Sequence, residues 1–267
     1  MKLFIVNVGV NKSDSSTRRM KSPVFSDRTF EFIPIKESKE QVKYCDKTSS
    51  YRSIKCFNNL KKNLSEYLPD EIHNYFAHND PDFVNLTYGD GYTSRSGNLQ
   101  HVDDGDIILF LARLYDYDNV KKIYLKSSSL YFIGKFKVEQ NLEYPGPDFD
   151  GTVERRVKQN AHYKKLKVGF KGKFRVIVGA KEGSYRFLKA IKITPEIAAL
   201  LFNSAYDKKE DTFIGQGKTV KNKNGKERKF NNFPQITRSI QYFLDDKNKT
   251  DKEALKNLLK IIKKESL

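Results

Sequence analysis

"DDGDIILFLARLY", residues 103–115, and "LYFIGKFKVEQ", residues 130–140, carry the plainest structural signal in the chain of 267 residues. A Gly-Asp turn leads into a run of Ile, Leu and Phe. After a polar stretch, a second apolar run places aromatics around a glycine, where a backbone can bend or another chain can approach. The pair reads as two strands of a hairpin. Further strands are expected at 3–10, 29–35, 173–181 and 188–194, segments rich in Ile, Val, Phe and Tyr and mostly bounded by turn residues. Helices are expected at 49–68, where Ile54, Phe57, Leu60, Leu64 and Leu68 keep one face, and at 195–206, where Pro195 follows Thr194 as a first-turn proline behind its cap. A third is expected from Thr250 to the C-terminus, with acids at its start and lysines at its end. The fold class expected is α+β: a core over 1–194 and a helical extension over 195–267 packed on it.

Charge narrows the function. The formal net charge is +17, and from Gly151 to Lys192 thirteen Lys or Arg face only Glu154 and Glu182. A second basic run, "GKTVKNKNGKERK", occupies 217–229. Positive charge concentrated in this way favours a polyanion, because neutralising phosphates releases condensed counterions. Cys45 and Cys56 lack paired metal-ligand spacing, so no structural zinc site or disulfide framework is indicated. The opening "MKLFIVNVGV" reads as a buried strand, and no apolar run reaches bilayer length. A cytoplasmic protein with nucleic acid as partner, DNA favoured over RNA, and no membrane partner is the expectation.

The two strands together resemble the corresponding stretch of the PUA-like β-barrels, the superfamily of the EVE, ASCH and YTH domains. Over nearly its full length the chain is similar to the third of the nucleotide-modification-associated domain families. That likeness is carried by "SPVFSDRTFEFIPI" (22–35), "DPDFVNLTYGD" (80–90), "DGDIILFLARLY" (104–115), "LYFIGKF" (130–136), "NAHYK" (160–164), "GSYRFLKAIKIT" (183–194) and "FPQITRSIQYFL" (233–244). The resemblance implies a PUA-like β-barrel core and a role near DNA base modification or defence, without specifying a reaction.

Two segments could hold the chemistry. In "HNDPDFVNLTYGDG", residues 78–91, His78, Asp80 and Asp82 alternate, so on an extended backbone they share a face and offer ligands to a divalent cation. Asp-Pro and Gly-Asp-Gly are also ordinary turn formers. Phe83, Tyr88 and Tyr92 offer faces for stacking a flipped base, Asn85 or Asp90 could bond its edge, and Gly89 and Gly91 would let a backbone come close. In "NAHYKK", Asn160 and His162 are candidate base-edge contacts, with Arg155, Arg156, Lys158, Lys164 and Lys165 as phosphate contacts. His162 is also a candidate general base. The leading expectation is a reader of a modified, flipped base, its pocket built from 78–92 and the strand end near Phe110 to Tyr115. The alternative is a nuclease or base-processing enzyme with His78, Asp80, Asp82 and His162 as its polar constellation, and an RNA or tRNA binder is the third reading. No cofactor is expected for the reader; Mg2+ belongs only to the nuclease. "GFKGK" and "GQGKT" lack the spacing and the preceding strand of a phosphate-binding loop.

Overall fold

The computed structural model describes residues 1–9, 20–37, 42, 49–91, 97–144, 146, 151–164, 166, 172–202, 206–207, 212–213, 219–221, 227–229 and 240–266. Tyr92 and Lys165 lie outside them. The fold is mixed α+β, as the apolar patterning predicts.

Strand β1 (Lys2–Val8) is followed by the short β2 (Ser22–Val24), then β3 (Thr87–Gly91), β4 (Ile107–Asp118), β5 (Ile123–Tyr144), β6 (Phe174–Gly179) and β7 (Tyr185–Lys192). The helices α1 (Gly151–Val157) and α2 (Ala161–Lys164) separate β5 from β6, and α3 (Pro195–Phe202) follows β7. Two short ribbons come next, β8 (Tyr206–Asp207) with β9 (Thr212–Phe213) and β10 (Thr219–Lys221) with β11 (Glu227–Lys229). The chain ends with β12 (Ile240–Asp245) and α4 (Lys249–Glu265).

The hairpin expected from 103–140 is the spine of the molecule. β4 and β5 pair antiparallel from Ile107↔Lys137 to Asp118↔Ile123. β1 runs parallel to the first half of β4, Leu3↔Ile107 to Val8↔Ala112, and β2 takes up the same edge from Ser22↔Leu114. The main sheet has the order β12-β1-β4-β5-β6-β3, with β2 beside β4 and β7 beside β5. It stays open between β12 and β3: the described strands do not close into the barrel that the PUA resemblance implies. β12 and β3 sit at opposite ends of the strand order and pair with β1 and β6, and among the described residues no pairing joins one edge to the other.

Two expectations over the first third of the chain give way to tertiary contacts. Residues 29–35 are buried at Phe30, Phe32 and Ile33 but form only an isolated bridge, Val24↔Phe30, in place of a strand. The helix expected at 49–68 is a set of turns ending in a 3-10 turn at Leu64–Tyr67. Its backbone is claimed from outside: the buried Glu31 carboxylate accepts from Phe57 N and Asn58 N at 2.9 and 2.8 Å, and Tyr51 OH donates to Pro34 O. Phe57 and Leu60, placed by periodicity on the inner face, are exposed. A buried charged acceptor offers these amides more than a local helix would, since hydrogen bonds to charged groups are the stronger class.

The C-terminal segment is built into the sheet. β12 pairs antiparallel with β1, and Leu255, Leu258 and Ile262 of α4 join the apolar cluster that holds Phe4, Phe110, Phe132 and Phe136. α4 is capped by Asn248, whose side chain accepts from Thr250 N and Asp251 N, two residues ahead of the helix start expected at Thr250. Among the described residues no helix is long and apolar enough to cross a membrane.

Candidate metal centre

Three parts of the chain, far apart in sequence, converge at the end of β1. Residues 35–37 and 76–78 run antiparallel through the bridge Lys36↔Ala77, with His78 N donating to Ile35 O at 2.7 Å. This register places Glu37 Oε2 2.8 Å from His78 Nδ1. β3, expected only as a loop, is held on β6 with Tyr88 opposite Ile177 and Gly89 opposite Val176. The single turn of α2 brings His162 over β3.

Asn160 locks these parts together. It is fully buried, its Oδ1 accepts from His162 N at 2.9 Å as a helix cap, and its Nδ2 reaches Asp80 Oδ1 and Thr87 Oγ1, each at 3.3 Å. Expected to read a base edge, it instead positions both His162 and Asp80. Gly89 explains how α2 comes so close. A Cβ there would sit 2.7 Å from Asn160 Oδ1 and 3.0 Å from the His162 ring and Cβ, so only glycine leaves room.

His78, Asp80 and His162 offer three ligand atoms that lie within 4.8 Å of one another. His78 Nε2 is 3.1 Å from His162 Nε2, which is 3.3 Å from Asp80 Oδ2. Ligands about 2.0–2.1 Å from a tetrahedral cation stand roughly 3.3 Å apart, so these two separations match edges of a coordination polyhedron. The His78 and His162 rings meet edge-on, with an interplanar angle of 85°. Glu37 completes a carboxylate–histidine pair: a carboxylate accepting from Nδ1–H leaves the Nε2 lone pair of His78 aimed at the cluster. Replacing Glu37 with Ala is expected to weaken divalent-metal binding about 10- to 100-fold, measured by calorimetric titration, because the tautomer and ring orientation of His78 lose their support.

Asp80 is the electrostatic anomaly. Burial pushes its carboxyl well above the usual range, and the neighbouring Asp90 and Asp82 carboxylates add to the push. Bonds from Gly89 N, 3.1 Å from both carboxylate oxygens, and from Asn160 work the other way without overcoming it. A carboxylate in such a place calls for a positive partner, and a cation held with the two imidazoles supplies one. Asp80 and both histidines line a cleft of about 180 Å³ that also takes in Asn7 and Gly9 from the end of β1, with Tyr88 and Asp90 from β3. The Tyr88 hydroxyl is bonded to Asp90, and burial first, then the Asp90 charge, raises its pKa well above that of a free tyrosine.

The remaining sequence candidates lie elsewhere or do other work. Asp82 is turned out of the cluster and closes the turn that follows it, accepting from Val84 N, Asn85 N and Asn85 Nδ2 at 2.9, 3.1 and 2.6 Å. The alternation with His78 and Asp80 ends there because Asp82 pairs with Thr87 at the base of this turn. Asp82→Ala is expected to cost about 1–2 kcal/mol of stability in denaturant unfolding while leaving metal affinity unchanged, the reverse of the ligand variants. Phe83 packs edge-on against Phe110 and Phe136 and so anchors this turn to the core. Arg156 is clamped by Asn85 O, Glu139 and the carbonyl of Gly179, and Lys158 by Glu154. Arg155 is exposed and Lys164 half-buried on the same short stretch. Much of the basic run from 151 to 192 is thus engaged at home, Arg175 and Lys173 with Glu143 and Arg186 with Glu31.

Sequence reasoning misses Glu37, and it names Gly89 for another purpose. Glu37 carries no signal of its own, while Gly89 shows in the sequence only as room for a ligand.

Among known proteins, the sequence model of a family described as nucleotide modification associated domain 3 matches residues 2–228. No curated protein and no solved structure matches the chain.

Proposed function

The chain belongs to the nucleotide modification associated domain 3 family, and from that link to nucleotide modification together with the ligand geometry we propose that it is a divalent-metal-dependent enzyme acting on a nucleotide of DNA. The observation that carries this reading is the convergence of His78 Nε2, His162 Nε2 and Asp80 in one cleft, with Glu37 behind His78. Two imidazoles and one carboxylate suit Zn2+ or Fe2+ better than Mg2+, which prefers oxygen ligands and water. Three protein ligands leave positions open for water and substrate, and a cation there would lower the pKa of bound water and polarise a phosphoryl or carbonyl oxygen. The cleft's volume fits a single base or sugar-phosphate group, so the substrate nucleotide enters from a single strand or flipped out of a duplex. Asp90, at the wall of the cleft and joined to Tyr88, is placed to take a proton from the nucleophile or to bond a base edge. Arg155 and Lys164 are the phosphate contacts this reading retains.

The position of Tyr88 and Asp90 favours a second reading, in which the cleft holds a modified base without chemistry. One experiment separates the two. The protein is incubated with modified phage DNA and its unmodified counterpart, after chelation and after addition of Zn2+, Fe2+ or Mg2+. Strand cleavage, nucleoside composition and mobility shift are then followed. Conversion that requires Zn2+ or Fe2+ and disappears in His162→Ala supports the enzyme. A shift that is stronger on modified DNA, without conversion under any metal, overturns it in favour of the reader.

A further inference from the structure

A second cleft, about 400 Å³ in volume, lies between the start of β2, the Leu64–Tyr67 turn and the tip of the β4–β5 hairpin. It shares no lining residue with the metal cleft. Along β4, Ala112 pairs with Val8 beside the metal cleft, and Tyr117 stands five residues further on, roughly 17 Å away at strand spacing. The volume falls in the range of small-molecule sites.

The chemistry of its walls is specific. Tyr67, Tyr117 and Tyr124 meet edge to face, with Tyr117 5.3 Å from Tyr67 and 4.9 Å from Tyr124 between ring centroids. Tyr124 is fixed by its hydroxyl, 2.5 Å from Lys21 O and 3.1 Å from Tyr67 O, and Tyr67 is buried. Tyr117 and Tyr124 are both partly buried, and because Lys21 Nζ already lies over the Tyr124 ring, Tyr117 is the ring taken to offer its surface. Two cations flank it. Lys21 Nζ lies over the faces of Tyr115 and Tyr124, at 5.3 and 5.4 Å from their centroids, and Lys122 sits at the hairpin tip with φ +54°. Among the described residues no carboxylate forms an ion pair with Lys21 or Lys122, and the one carboxylate among the cleft's lining residues, Glu66, pairs with Lys62. An aromatic face between ammonium groups, with Leu68 and Pro69 also lining the cleft, matches a flat ring that carries an anion.

We propose that this cleft is a second binding site that takes a nucleotide, its base stacked on Tyr117 and its phosphate held by Lys21 and Lys122. The site stands independently of the metal centre, and its ligand is either a free nucleotide or one unit of a single strand.

The test is calorimetric titration of the full chain, metal-free, with deoxynucleoside monophosphates, a short single-stranded oligonucleotide and inorganic phosphate. Nucleotide binding is expected at least tenfold tighter than inorganic phosphate. Tyr117→Ala should weaken it tenfold or more, and Lys21→Gln with Lys122→Asn should do the same and flatten its salt dependence. Asparagine is chosen for the second lysine because it tolerates positive φ. The lysine double variant leaves the tyrosine cluster intact, so it reports on the site even if Tyr117→Ala unfolds. His162→Ala should leave this binding unchanged, which separates it from the metal centre. A mononucleotide that binds as well as the oligonucleotide identifies a free nucleotide as ligand; a tighter oligonucleotide identifies a strand. No nucleotide binding at millimolar concentration, equal binding of inorganic phosphate, or unchanged affinity in the lysine variant overturns the proposal.

Discussion

Asp80→Asn is expected to have two opposite effects: it abolishes tight divalent-metal binding and makes the metal-free protein more stable at pH 7.5. The loss follows because a neutral amide replaces the one anionic ligand, with affinity expected to fall about 100-fold or more. The gain follows from the buried carboxyl. Its folded-state pKa is raised above the ordinary value of 3.8, chiefly by desolvation. Below that value the folded and unfolded chains are both protonated at Asp80, and the residue contributes nothing to the pH dependence. As pH rises, the unfolded chain releases the proton while the folded chain still holds it, so stability falls through the window between 3.8 and the raised pKa. The amide of the Asp80→Asn variant carries no such penalty and can still accept from Gly89 N through its oxygen.

Thermal melts should therefore coincide near pH 4 and separate by a few degrees at pH 7.5, the variant being the more stable. Saturating metal should reverse that order, since a ligand at 100 times its Kd adds about 2.7 kcal/mol to the wild type alone. A variant that is less stable than wild type at every pH and in every metal condition would make Asp80 a structural residue.

Gly134→Ala is expected to be among the most destabilising single-methyl changes in the chain. A Cβ at 134 would lie 2.4 and 2.7 Å from two Phe83 ring atoms and 2.9 Å from the backbone oxygen of Tyr185. It is squeezed from two sides, and one of them is backbone that cannot swing away. β5 also shifts register against β7 at this glycine, so the strand's bend depends on it. Overpacking of this kind costs about 1–3 kcal/mol, which for a chain of this size lowers Tm by roughly 2–6 °C. Phe83 should lose its place on Phe110 and Phe136 at the same time, and the Asp82–Thr87 turn should exchange its amide hydrogens faster. A melt indistinguishable from wild type would mean that Phe83 is free to swing out, as a base-stacking residue would.

The spine of this fold was legible because the first half of β4 and the Tyr131–Ile133 stretch of β5 are buried hydrophobic runs, flanked by Gly105 and interrupted by Gly134, a local pattern that needs no distant partner to be recognised. The segment 49–68 was not, because its apolar spacing suits a helix while its amides answer to Glu31, which no local rule connects to Phe57 or Asn58. The candidate metal centre divides along the same line. His78 and Asp80 stand two apart and can be picked out as ligands by spacing. His162 lies on another segment, brought in by Asn160 and by the absence of a side chain at Gly89, contacts that exist only in space. Asp82 shares the sequence pattern of the ligands but has local backbone amides within reach, and these take its carboxylate first. The basic run from 151 to 192 correctly marked a charge-dense region, yet Arg156, Lys158, Arg175 and Arg186 serve the fold through glutamates that lie elsewhere in the sequence or one helical turn away.

The central claim is that His78, Asp80 and His162 hold a metal ion, and anomalous diffraction from crystals of the full chain grown with Zn2+ or Fe2+ tests it most directly. The account predicts a single strong peak about 2.0–2.2 Å from His78 Nε2, His162 Nε2 and an Asp80 carboxylate oxygen, lost in crystals of His162→Ala. Crystals that show no peak there, with the two Nε2 atoms still about 3.1 Å apart and sharing a proton, would contradict it.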